Sequence, residues 1–425
     1  MQAPLPVLQE NSAAPAPRDE PARSGALFVT FCFWTLVLLC RPQDIFPALE
    51  PLRPALLTGI ITLFMVLVRS GDLSRTPLFS QQQLRLYAAL LLVMIMGIPF
   101  SLYARLSFNM IFGGYVNVVL FVIIFFKVVK SIDRLSTVIL VGCLGNGLYS
   151  LYTVASGELA FGRLYFAEMF DPNDLAFFAL SFLPLNLLFV SRGNHLAIRI
   201  AAACSFGAGT LLILLSGSRG GFVAFGVAAF LLLFMKNRIV RPFMKIIFVA
   251  LCLVFVSLAP LNTERYMTIV EIEEDYNLKD ETGRINLWKI GMDAMIHNPL
   301  TGVGVGNFPM AVGLDRQRRG IEERSWQAAH NMVVQIGSET GVIGMALFLL
   351  MSLNVMRTLR RVKKGPCPEK LARIAEMGLV GFAGLFVSGM FLSQAYSFYW
   401  AFYVVFSAVV SCLAARRRQT DGAPA

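Results

Sequence analysis

Charge is what this sequence has least of. Asp, Glu, Lys and Arg supply 15% of its 425 residues and hydrophobic residues 56%, whereas a soluble domain carries about 25% charged and 45–50% apolar residues. A soluble globular chain is thereby excluded. Histidine is scarce, at three, and the seven cysteines form no CxxC pair. Cys32, Cys40, Cys143, Cys204, Cys252 and Cys412 fall in apolar blocks and Cys367 in a basic loop, so neither a disulfide framework nor a zinc site is implied. The apolar blocks lack the alternation of a membrane β-barrel. The first block, Gly25 to Cys40, lacks a small-residue cleavage site after it and reads as a retained span.

What is there are blocks of about 16–23 apolar residues, the length a helix needs to cross the hydrocarbon core. Twelve spans are expected, at 25–40, 55–69, 85–103, 108–126, 136–155, 174–191, 197–217, 220–235, 244–260, 332–355, 375–394 and 398–415. Only Ser218-Arg219 separates the seventh from the eighth, which requires a tight hairpin or a broken helix. The expected organisation is a disordered tail over 1–24, spans one to nine over 25–260, a large loop over 261–331, spans ten to twelve over 332–415 and a short tail over 416–425.

The net charge of +11 sits mostly in short loops, which argues for anionic lipid head groups as partners and against nucleic acid. Lys127, Lys130 and Arg134 fall on one face with Arg192 and Arg199, with Lys236, Arg238, Arg241 and Lys245, with Arg357, Arg360, Arg361, Lys363 and Lys364, and with Arg416, Arg417 and Arg418. Twelve spans place all these groups and both tails on one side, which the positive-inside rule makes cytoplasmic. The opposite face receives 156–173, the Arg219 turn and the long loop, which has eight basic and eleven acidic residues and so lacks the cytoplasmic bias. In that loop Ile285, Trp288, Met292 and Met295 share a face at helical spacing, predicting a helix on the membrane surface or capping the bundle.

Three arginines and a histidine stand out on that outer face. Arg219, in Ser216-Gly217-Ser218-Arg219-Gly220-Gly221, lies between two apolar blocks, where a charge is costly. Its glycines would let backbone approach a ligand, and a guanidinium fork matches phosphate oxygens. The alternative is an interfacial arginine snorkelling to head groups. Arg163 and Arg284 are either anion ligands or solvated loop arginines. His330 stands where the polar loop meets a span, at the depth of a lipid-linked substrate. It is either a base for a sugar hydroxyl or an interfacial hydrogen-bonding residue. His297 reads as a C-terminal helix cap. Asp171-Pro172-Asn173-Asp174 reads as a helix cap in preference to a metal site, and no Asp-x-Asp occurs in the outer loops, which disfavours a metal-dependent nucleotide-sugar transferase. Gly302-Val303-Gly304-Val305-Gly306 is no dinucleotide fingerprint; it reads as a flexible turn or a backbone nest for an anion.

These elements, in this order, resemble the O-antigen ligase and polymerase superfamily. They are Gly162-Arg163, Asp171 to Ala176, Ser216 to Gly221, Arg284-x-x-x-Trp288, Pro299 to Phe308, His330-Asn331 and Glu339 to Gly344. The flanking spans match only in hydropathy. The resemblance implies an all-α polytopic fold of the type C glycosyltransferase class, with no metal and no cofactor. It implies a donor glycan on undecaprenyl diphosphate at the periplasmic face of the bacterial inner membrane. The acceptor would be lipid A-core for a ligase, or another lipid-linked glycan for an O-antigen or exopolysaccharide polymerase. By motif, Arg219, Arg284 and Arg163 would bind the diphosphate and His330 would serve as base in an inverting displacement. Arg316, Arg318, Arg319 and Arg324 either contact the acceptor or form a solvated charge run. The rivals are a lipid-linked oligosaccharide flippase and an assembly scaffold.

Overall fold

The computed structural model describes residues 25–167, 171–191, 193–234, 283–321 and 326–420, with side chains to 417. The tail 1–24, the ninth expected span 244–260, loop residues 261–282, Lys236 to Lys245, Arg192 and Arg324 lie outside them. What is described is almost wholly helical: α1 Ala26–Cys40, α2 Pro42–Ile45, α3 Pro54–Val68, α4 Gln82–Met96, α5 Ala104–Phe108, α6 Val116–Val128, α7 Ile132–Ser156, α8 Pro172–Phe182, α9 Leu196–Leu215, α10 Arg219–Phe234, α11 Arg284–His297, α12 Phe308–Arg318, α13 Met332–Lys364, α14 Glu369–Gly389 and α15 Phe398–Thr420. A π-helical stretch, Asn109–Tyr115, joins α5 to α6. One antiparallel hairpin, β1 Glu158–Ala160 and β2 Arg163–Tyr165, pairs Leu159 with Leu164.

Among the described residues seven helical stretches are long and apolar enough to cross a membrane, and α1, α4 and α10 are shorter apolar helices. One expected span is cut short and another is displaced toward the start of the chain. Pro184 cannot continue α8, and the chain passes into a 3-10 turn over Pro184–Leu188. The run expected to cross at 375–394 stops at Gly389, and 390–397 forms turns.

Contacts sort the helices around two centres. In one, α1 lies between α3 and α7, and α7 lies against α9. In the other, α13 touches α4, α11, α14 and α15. An aromatic seam joins the two: Phe31, Phe121, Phe125, Phe182 and Phe402 are fully buried, with ring centroids 4.8–5.8 Å apart. Buried aromatic pairs of this kind stabilise beyond their area.

The two ends of the bundle differ. At one end Lys127 Nζ donates to the Thr76 carbonyl at 2.8 Å, Arg416 bonds Ser74 and Thr76, and Lys370 meets Asp133 at 2.6 Å. Lys363 and the buried Glu376 pair there at 2.6 Å. α7 starts at this end, while α13 and α15 finish at it. The hairpin, the α9–α10 turn, His330 and the 390–397 turns are therefore at the other end.

Small residues set the helix spacing. A Cβ on Gly147 of α7 would fall 2.1 Å from Ser205 Oγ and 2.8 Å from Ser205 Cα of α9, so the helices meet there backbone to backbone. Gly147→Val is expected to destabilise the protein by about 1–3 kcal/mol through overpacking, measured as a lowered unfolding midpoint in detergent.

Candidate active site

The non-basic end is assembled from local signals. Asp171 caps α8 as its sequence promised: its Oδ1 accepts from Asn173 N at 2.7 Å and Asp174 N at 2.8 Å, with Pro172 in the first turn. Ser218 Oγ accepts from Gly221 N at 3.1 Å and opens α10, on which Arg219 is the first residue. Asn331 caps α13 by accepting from Val333 N and Val334 N at 2.9 and 3.1 Å.

Arg163 ties three of these pieces together. From β2 its Nε donates to the Ser216 carbonyl at 3.2 Å and its Nη2 to Asn173 Oδ1 at 3.0 Å. One side chain thus links the hairpin, the start of α8 and the α9–α10 turn. The turn itself is tight, with Gly217 in the left-handed region at φ 60°, and α10 then leaves α9 to run along α14.

The glycines after Arg219 have a different purpose from the expected approach of backbone to ligand. A Cβ on Gly220 would meet Phe391 Cβ at 2.6 Å, and one on Gly221 would meet Ala176 Cβ at 2.5 Å. They let α10 touch α8 and the 390–397 turns. Arg219 itself is half-buried beside that contact.

His330 lies against the same turns. Its backbone N–H donates to Ser393 Oγ at 2.9 Å, and Trp288 of α11 donates to the neighbouring Ala329 carbonyl at 3.0 Å. So held, His330 adopts φ 47°, a left-handed conformation that costs an L-residue about 1–2 kcal/mol. Strain of this kind collects at functional sites. Burial holds its imidazole below the ordinary histidine range. The Arg284 guanidinium adds to that shift, and the Asp171 carboxylate opposes it. Imidazole, Arg284 and Asp171 are therefore electrostatic neighbours, and Asp171 Oδ2 accepts from Asn173 Nδ2 at 3.2 Å, next to Arg163. Asp171 thus links Arg163, through Asn173, with the His330 and Arg284 pair, while Arg219 opens α10 where Gly220 meets Phe391 of the turn that holds Ser393.

Two contributors were not foreseen. The first is the 390–397 segment, of which 390–394 was expected to end a span and 395–397 to connect it to the next. Besides Ser393, it presents Gln394, whose Nε2 donates to Asp174 Oδ1 at 2.8 Å, and Ala395, whose N–H donates to Gln335 Oε1 at 3.1 Å. The polar pair Ser393-Gln394 at the end of an apolar run was the available signal.

The second is Glu339, a buried acidic residue inside an expected span, which is the signature of a functional or organising group. Its Oε2 accepts from Gly306 N at 2.9 Å and its Oε1 from Phe308 N at 3.3 Å, with the Tyr396 side chain close by. The end of the Gly302–Gly306 run, with Phe308 just after it, thus forms a small backbone nest that the chain's own carboxyl fills. Val303 N and Gly304 N donate to the carbonyls of Ser338 and Glu339 at 2.8 and 3.0 Å. Gly341, at φ 72°, kinks α13 so that Val342 N reaches the Pro299 carbonyl at 2.8 Å. A Cβ on Gly302 would come within 2.3 Å of Glu339 backbone carbon. The two glycine motifs exist for each other.

α11 forms as expected, and of the two placements expected for its apolar face the structure turns much of that face outward. Leu287, Ile290 and Gly291 are buried against α13, Trp288 is half-buried, and Ile285 and Met292 point outward. A second apolar stripe, Leu287 and Ile290, is the one that packs on the bundle. Arg316 also leaves the expected charge run: it is buried and donates to Gln327 Oε1 at 2.6 Å. Arg319 pairs with Asp315 at 2.9 Å.

Replacing Glu339 by Gln would leave one oxygen acceptor and turn an amide N–H₂ toward a backbone donor. Glu339→Gln is expected to lower stability by about 1–3 kcal/mol, and Glu339→Ala by more, read from unfolding midpoints in detergent.

Residues 200–349 match the family model described as O-antigen ligase. The match runs from α9 through α13 and contains Arg219, Arg284, the glycine nest, His330 and Glu339. No curated protein matches the chain.

Proposed function

We propose that this chain, a membrane protein of the O-antigen ligase superfamily through its residues 200–349, moves a glycan from undecaprenyl diphosphate to a sugar hydroxyl at the periplasmic face of the inner membrane. In this reading the basic end of the bundle is cytoplasmic, by the positive-inside rule, and the chain spans the bilayer twelve times.

The observation that carries the proposal is His330: a strained, half-buried imidazole, held below its usual pKa with an arginine as its electrostatic neighbour. Such an imidazole is neutral at physiological pH and can accept a proton. His330 takes the proton of the acceptor hydroxyl as its oxygen attacks the anomeric carbon. The bond from that carbon to the diphosphate oxygen breaks on the opposite side, giving inversion. The departing diphosphate carries the electron pair away as added negative charge, which Arg219 and Arg284 neutralise. Arg163 adds positive charge at the edge while bracing the loops around it. This division of labour requires no metal.

Transfer to lipid A-core is the favoured acceptor reaction. Transfer to a second lipid-linked glycan, as in a polymerase, uses the same displacement. In a deletion strain, loss of lipid-A-linked ladders with accumulated lipid-linked polymer identifies the ligase, and products limited to single repeat units identify the polymerase.

His330→Gln is expected to lower kcat by about 10²–10⁴-fold in a transfer assay on purified protein, and Arg219→Lys to lose at least about ten-fold, because an ammonium cannot replace a bidentate fork. Activity matching the unsubstituted protein in either variant would overturn the mechanism.

The pH profile adds a signed test. A lowered His330 pKa puts the acid limb of kcat/KM below the ordinary histidine value of about 6.5. Arg284→Gln removes one of the two causes of that lowering, so the limb moves to higher pH. Movement to lower pH, or none, contradicts the assignment.

A further inference from the structure

Beside the candidate site lies a gap of about 900 Å³ between α3 and α6, floored by Trp34 and Leu38 of α1 and closed behind by Phe398. It exists because α3 stands out from the bundle. Its main partner is α1, and only Thr58 and Thr62 among its residues are buried. The gap is walled by Ile60, Leu63, Val118 and Ile124. Between two membrane-spanning helices, such a gap is filled by hydrocarbon, since water there would meet almost no polar partners.

The mouth of the gap is polar. It is made by the turn from Arg41 to Arg53, which joins α1 to α3. Both of those arginines are left-handed, at φ 46° and 44°. Arg41 Nε binds Asp44 Oδ2 at 2.6 Å, and Tyr149 of α7 donates to the same oxygen at 3.0 Å. Asp44 is thereby matched within the turn, while Arg53 is exposed beside Glu50 at the start of α3.

The mouth is continuous with the site. Ala167, just beyond the strand that bears Arg163, lines the gap. The Tyr149 ring packs on Phe166 at 5.7 Å. Tyr399 lies in the fields of Arg41, Asp44 and Asp174 alike. A chain lying in the gap would present its head group beside the hairpin.

We infer that the gap between α3 and α6 is the binding groove for the long isoprenoid chain of the lipid-linked donor, which enters from the bilayer and passes out at the Arg41–Arg53 turn toward Arg163 and the candidate site. This rests on the proposed transfer reaction for the identity of the lipid, and on the geometry for the place.

The test uses the full chain in phosphatidylethanolamine vesicles with a polyprenyl phosphate carrying a diazirine near the middle of its chain. Cross-links are expected on α3 and α6, at Leu63, Val118 or Ile124, displaced by undecaprenyl phosphate and not by an equal amount of phosphatidylglycerol. Labels spread around the whole apolar belt, or equal displacement by phosphatidylglycerol, overturn the groove. In parallel, kcat/KM is measured for glycan donors on long and short isoprenoid diphosphates. Val118→Trp and Ile60→Trp, which fill the gap, are expected to reduce the long-to-short ratio at least about ten-fold. An unchanged ratio overturns the groove. Because cross-linking needs no turnover, specific labelling without any transfer overturns the reaction and keeps the groove. Transfer without groove labelling does the reverse.

Discussion

A carboxyl group buried among backbone amides organises the reactive end of this protein. Glu339 sits on α13, and the amides it satisfies belong to a loop more than thirty residues earlier in the chain. Hydrogen-bond donors buried without partners are among the most destabilising features a fold can carry. The loop from Pro299 to Phe308 therefore has one low-energy position, pressed on the kink at Gly341. Everything attached to that loop inherits the placement: α11 with Arg284 before it, and α12 after it.

The same logic explains how a histidine can be kept in an unfavourable backbone conformation. His330 is bracketed by Trp288 on α11, by Ser393 on the 390–397 turns and by the Asn331 cap of α13. Trp288 and Ser393 contribute one hydrogen bond each from distant parts of the chain, and the cap contributes two to the residue that follows. Together they over-determine the residue, which is how a site stores strain without unfolding. Arg163 does for the opposite border what Trp288 and Ser393 do for His330, by drawing the hairpin and two helix starts to one guanidinium.

Much of this was legible in the sequence where the physics is local. Apolar length gave the helices and Asp171-Pro172 gave the start of α8; the structure brings Arg284 and His330 within reach of each other's charge, with Asp171 beside them. Signals failed where two physical causes write the same letters. Gly220 and Gly221 are equally suited to helix contact and to ligand approach, and only the neighbours Phe391 and Ala176 decide. On α11 apolar residues form two stripes, one against α13 and one away from it, and periodicity does not tell which meets protein. Span eleven was overrun because hydropathy does not register that Gly389 ends the helix. The Glu339 dock joins segments far apart in sequence, and no window along the chain contains both halves.

The filled nest has a consequence for turnover. A loop rich in left-handed glycines would grip a diphosphate through rigid amides, as nucleotide-binding loops do. Here Gly306 and Phe308 already have their acceptor, so those amides cannot compete for the departing group. Under the proposed reaction the pyrophosphate would be held by guanidinium groups, and the loop between α11 and α12 would keep its shape while the lipid carrier comes and goes.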